Sequence, residues 1–188
     1  MMNNVTPKII QSIFVCVAML TLTRCDFIFT DDNKTTDEER IENNEIAIQK
    51  DEAKLLVEAA QDNLDIIELI NVVKEVETDS TSKHIASIIE KNQLEIIEEY
   101  NKTAKENVIS IPNYPNINKK EILAKESVPV NDVLHTISVK LNKQIDVLNT
   151  LSSNTNNRDF KQLAVQANKK LYTSLDKTLK LKNRIVTQ

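Results

Sequence analysis

The sequence predicts an all-α fold, and three observations carry that prediction. Glycine is absent from all 188 residues, so hairpin turns that need positive φ at glycine are disfavoured. Four segments place apolar residues at intervals of three and four, the period of one helix face. Between them stand either short clusters of Thr, Ser, Asp and Asn, which cap helices, or a stretch broken by proline.

A folded domain is expected over residues 51–188, with Asp51 capping a first helix from Glu52 to about Glu77. Its apolar stripe is Leu56, Ala59, Ala60, Asn63, Ile66, Ile67, Ile70 and Val73. Thr78 to Thr81 make a turn. A second helix from about Ser82 to Lys105 carries Ile85, Ala86, Ile89, Gln93, Ile96, Ile97, Tyr100 and Ala104. So short a connection forces the two helices antiparallel. A long crossover follows, broken by Pro112, Pro115 and Pro129, with a short helix expected over Lys119 to Glu126.

Asn131 is expected to cap a third helix, Asp132 to Leu151, with the stripe Leu134, Ile137, Ser138, Leu141, Ile145, Leu148 and Leu151. Asn154 to Asn157 form the next turn. The fourth helix, Arg158 to about Lys182, carries Phe160, Leu163, Ala164, Ala167, Leu171, Ser174, Leu175 and Leu179. Without glycine, Asn is expected at the left-handed positions that end helices. Two antiparallel hairpins joined by one long crossover make the connectivity of a ferritin-like four-helix bundle.

Charge is divided along the chain. Residues 26–100 hold 21 acidic and 7 basic side chains, and residues 101–188 hold 7 acidic and 15 basic. Either an acidic helix pair packs beside a basic one, or the basic half docks on an anionic polymer or membrane surface. The absence of glycine also disfavours phosphate-cradling loops, dinucleotide fingerprints and nucleophile elbows. Aromatic residues are 4% of the chain and Trp is absent, so stacking platforms for nucleic acid are not expected.

Residues 8–25, KIIQSIFVCVAMLTLTRC, place one Lys before an apolar run from Ile9 to Leu22, with Cys25 three residues beyond. That is the plan of a secretory signal over residues 1–24 ending at a lipid-accepting cysteine. The run is short for a membrane-spanning helix, which needs about 20 apolar residues. Leu22 and Thr23 resemble the lipobox of bacterial lipoproteins, whereas Arg24 stands where that pattern has a small residue. Cys25 is therefore the expected lipidation site, with residues 25–50 a polar tether that has room for a helical turn or two from Asp37 to Gln49, and the mature protein anchored in the bacterial envelope. Processing there would remove Cys16, leaving no pair for a disulfide.

The segments AAQDNLDIIELINVV (Ala59 to Val73) and HIASIIEKNQLEIIEEYNKTAKENVISIP (His84 to Pro112) resemble a bacterial family of ferritin-like "predicted outer membrane protein" domains of unknown function. The resemblance runs from about Asp51 to Asn183 and implies fold and envelope location. It carries over no metal site. Ile66 stands where the family often has Glu, Asn92 and Gln93 stand where it often has Asp-His, and the last helix has no His.

Ferritin-like di-metal sites need inward carboxylates and a Glu-x-x-His spacing. None of the four stripes contains Asp or Glu, and Glu90 to Gln93 ends in Gln. His84 and His135 have no partner at a ligand spacing. Asn63 and Gln93 are the polar residues expected inside, either fixing helix register or lining a small polar pocket. The expectation is a non-enzymatic, membrane-tethered binding or structural domain with no cofactor and no metal. Its partner would be an envelope protein or anionic polymer. The alternatives are a divergent di-metal module and a small-ligand sensor built on the central amides.

Overall fold

The computed structural model describes residues 37–186. Cys16, Cys25 and the signal expected over 1–24 lie outside the described residues. Residues Glu42–Gln188 cluster as one unit and are treated by themselves. Among the described residues all regular structure is helical: α1 (Asp37–Val76), α2 (Ser80–Glu106), α3 (Lys119–Leu123), α4 (Val130–Asn154) and α5 (Arg158–Val186).

Four long helices surround one core. α1 meets α2 through Asn63 and Gln93 and through the Lys74–Glu90 pair. α2 meets α5 through Gln93 and Ser174. α5 meets α4 through Asn168 and Asn149, and α4 returns to α1 through Lys140. The order around the bundle is thus α1, α2, α5, α4, with each helix antiparallel to its neighbours. The crossover runs beside α1. There Gln61 Nε2 donates to the Tyr114 carbonyl at 3.2 Å, and the Asn116 N–H donates to Asp65 Oδ1 at 2.7 Å. The Lys119 N–H donates to Glu68 Oε1 at 3.1 Å.

The interior is filled from all four stripes. Leu56, Ile66, Ile70, Ile89, Ile96, Tyr100, Leu134, Ile137, Leu141, Leu148, Leu151 and Phe160 are the largest fully buried side chains. Each such aliphatic group withdrawn from water contributes about 1.5–3 kcal/mol. In α5 the stripe drifts. Leu179 is 47% exposed, while Thr178 and Leu181 are buried instead. Thr178 tolerates burial because its hydroxyl donates to the Ser174 carbonyl at 2.8 Å.

Most helix boundaries shift from expectation by a few residues, and two of the shifts change a predicted cap. α1 continues back to Asp37, so the helical turn or two expected over Asp37 to Gln49 is part of one unbroken helix and Asp51 is an internal helical residue rather than a cap. That segment has neither Pro nor Gly and is rich in Glu and Ile, so the helix extends through it at little cost. α4 starts at Val130, and its cap is Pro129 rather than Asn131. The Pro129 carbonyl accepts from the Asp132 and Val133 N–H groups at 2.9 and 3.1 Å, so the chain is already helical at Asn131.

The end of α2 holds the one positive φ among the described residues, and it belongs to Val108 (57°) rather than to an Asn. The Ile109 N–H donates to the Ala104 carbonyl at 2.8 Å, the 6→1 bond of a Schellman motif, with Val108 at its left-handed position. Asn107 precedes it, and its side chain is held by the Thr103 carbonyl. At the other end Asp79 caps α2, accepting from the Ser82 N–H at 2.8 Å and from Arg184 Nε at 3.0 Å. The Ser82 hydrogen bonds, aided by Arg184, hold the Asp79 carboxyl down at about 2.

Candidate functional site

The interior carries a polar layer. Asn63 and Gln93 are fully buried, and Asn63 Nδ2 donates to Gln93 Oε1 at 2.9 Å and to the Gln93 carbonyl at 3.1 Å. Gln93 Nε2 and Asn92 Nδ2 both reach Ser174 Oγ, at 3.4 and 3.2 Å. The layer therefore ties α1, α2 and α5 at one height and fixes their register. Lower in the bundle the Tyr100 hydroxyl donates to Gln144 Oε1 at 3.4 Å. Burial raises the Tyr100 pKa, and the nearby charges of Glu99 and Asp62 raise it further.

Carboxylates are buried too, contrary to the expectation from the stripes. Asp62, Asp65 and Glu52 are all nearly closed off from solvent. Asp62 and Asp65 flank the α1 stripe on the side that faces α4. Lys140 Nζ lies 2.8 Å from Asp62 Oδ1 and 2.8 Å from Asp65 Oδ2, and Lys143 lies 2.8 Å from Glu58. Burial works against the Lys140 charge, but hydrogen bonds from its ammonium to the two aspartates outweigh burial and raise its pKa. Across the bundle Lys170 does the same with Glu95 and Glu99, at 3.0 and 2.8 Å. The divided charge of the sequence thus appears as ion pairs between the first hairpin and the second.

These pairs decide what the interior carboxylates can do. Asp62 and Asp65 are met by an ammonium, and Glu90 is held by Lys74. Ile66 sits in the apolar core. His84 and His135 are exposed. Among the described residues no group of three His, Cys, Asp or Glu side chains is placed to hold a metal.

A further polar feature is a cavity of about 460 Å³ at the end of the bundle where α2 and α4 finish and α5 begins. Its apolar lining is Ile48, Ile109 and Phe160, with Val108 at the rim, 95% exposed. Its polar lining is Glu45, Gln49, Glu52, Glu106, Asn107, Asn156 and Asn157, with no Lys, Arg or His. Local cap chemistry positions several of these groups. The Thr155 hydroxyl, at the end of α4, donates to Glu52 Oε1 and accepts the Asn157 N–H at 2.8 Å. Asn157 Nδ2 donates to Asn107 Oδ1 at 2.7 Å, linking the α5 entrance to the Schellman end of α2.

Glu52 is the chemically distinctive member. It is 7% exposed, its carboxylate accepts from a neutral hydroxyl, and among the described residues no ammonium pairs with it. A carboxylate in that setting favours a positive guest, because charge-assisted hydrogen bonds strengthen away from bulk water. Sequence reasoning missed this cavity. The Asn-rich turn over 154–157 was visible, but Glu45 and Gln49 enter the wall because the turns expected over Asp37 to Gln49 run unbroken into α1. No family model, curated protein or solved structure matches the chain.

Proposed function

We propose that this chain is a non-enzymatic binding module of the bacterial envelope, ferritin-like in connectivity and tethered through a lipid on Cys25. Its end cavity takes a ligand that presents a positive group on an apolar body. The observation that carries the reading is the contrast between buried carboxylates. Asp62 and Asp65 are neutralised by Lys140 and Lys143, whereas Glu52 lines an open cavity and, among the described residues, pairs with a hydroxyl and no cation. The di-metal alternative would need several interior carboxylates free together, and lysines hold Asp62, Asp65 and Glu90. The sensor alternative would need room at the central amides, which are instead bonded to each other and to Ser174.

A primary alkylamine tests the cavity. Hexylammonium is expected to raise the melting temperature of the full chain, with hexanol and hexanoate inactive and Glu52→Gln abolishing the effect. Equal responses to hexylammonium and hexanol, or an unchanged response in Glu52→Gln, would remove the cationic reading. The tether is tested separately by Cys25→Ala, which should leave the protein unprocessed or soluble, because stable residence in a membrane takes two lipid signals.

A further inference from the structure

α5 carries a second surface that the bundle does not use. Val165, Tyr172 and Leu179 are 71%, 55% and 47% exposed and recur every seven residues, so they form one line along the outside of the helix. Lys161 precedes Val165 by four residues and Lys169 follows it by four, which places both on the same face. Arg158 continues that face at the start of the helix. Arg158, Lys161 and Lys169 have no ion-pair partner among the described residues, whereas Lys170, one residue on, is committed to Glu95 and Glu99. The one acid within this face, Asp176, is already neutralised by Lys180 at 2.7 Å. Apolar groups without cover and cations without counter-ions therefore share one helix face.

We propose that this face of α5 lies on an anionic phospholipid surface. Charge complementarity selects that occupant. Two copies meeting through the same face would bring their unpaired cations together, whereas a phosphate-rich surface meets all three at once. The geometry agrees. A helix lying in the plane of an interface buries its apolar line at the boundary between headgroups and chains while its basic residues contact phosphate. Tyr172, midway along the line, has the amphipathic ring suited to that depth. The surface does not depend on the lipid at Cys25. With such an anchor, it would set which side of the bundle faces the membrane.

The chain contains no Trp, so a single introduced indole reports its own surroundings. Tyr172→Trp and, as a control, Tyr114→Trp would be made in the full chain. Tyr114 is 82% exposed on the crossover beside α1, the helix diagonal to α5. Each variant is mixed with vesicles of phosphatidylcholine alone or with phosphatidylglycerol added, with and without brominated lipid. The expected result is blue-shifted emission and bromine quenching at position 172 only, in phosphatidylglycerol vesicles only, reversed by salt. Lys161→Glu with Lys169→Glu should weaken the vesicle titration followed at position 172 by about tenfold or more. Because the signal is local, an anchor that merely tethers the chain would not produce it. The proposal is overturned if position 172 keeps water-exposed emission on anionic vesicles, or if positions 172 and 114 respond alike. A blue shift at 172 that grows with protein concentration in the absence of vesicles would overturn it in favour of a second copy of the chain.

Discussion

Lys140 Nζ lies 2.8 Å from Asp65 Oδ2, joining the second hairpin to a carboxylate of the first that is almost wholly out of water. The same carboxylate accepts the crossover's Asn116 N–H through its other oxygen. One aspartate therefore holds α1, α4 and the connecting chain together. Removing the ammonium would leave Asp65 without a cation and Asp62 with only Lys143, 3.1 Å away. Lys140→Met should cost about 3–5 kcal/mol of stability by urea unfolding, as expected when one partner of a buried pair is lost. Adding Asp62→Asn and Asp65→Asn should recover part of that loss. No recovery would mean that Lys140 acts through its methylene stem rather than its charge.

Val108 holds a left-handed backbone conformation that costs a β-branched residue about 1–2 kcal/mol. Val108→Gly should remove that strain, offset in part by the greater freedom of glycine in the unfolded chain. A net gain of about 1 kcal/mol is expected from the urea midpoint. A loss would show that the exposed Val108 side chain makes a contact that matters to stability.

Asp79 links stability to pH. Its folded pKa of about 2 lies below the ordinary aspartate value of 3.8, so between those values the unfolded chain binds the proton and the folded chain does not. The contribution is complete above about pH 4 and is lost as pH falls toward 2. Melting temperatures followed from pH 5 to pH 2 should fall less steeply in Asp79→Asn than in the parent. Parallel curves would show that Ser82 and Arg184 do not hold the carboxylate as the geometry indicates.

The phase of α5 can be tested with two leucines. Leu181 is fully buried and Leu179 is half exposed. Leu181→Ala should cost about 2–5 kcal/mol, as Ile89→Ala should in α2, while Leu179→Ala should stay within about 0.5 kcal/mol. Thermal unfolding that reversed this order would restore the stripe read from sequence.

The sequence was most legible where periodicity alone decides burial. Every apolar residue named in the α4 stripe is buried, as are Asn63 and Gln93. It failed where the deciding contact is distant. Asp62 and Asp65 look like solvent-facing acids because the lysine that lets them be buried lies 78 and 75 residues away. Leu179 misled for a different reason. Steps of three or four from Ser174 and Leu175 reach either position 178 or 179, and the apolar residue sits on the outer edge while a self-satisfied Thr178 goes in. The end cavity was illegible because helix ends far apart in sequence build it, and no period encodes their meeting.

The ion pairs between the hairpins also bear on how the chain assembles. Each hairpin closes through a short turn, but Lys140 and Lys170 meet their partners across 71 to 78 residues. Contacts of that span form late, because the intervening loop must close first. Two nascent hairpins of opposite charge would then meet much as two separate proteins do, drawn together by a long-range field before any side chain interlocks. Ionic strength should therefore slow refolding more than it hastens unfolding. The division of charge along the chain becomes a guidance system for its own collapse.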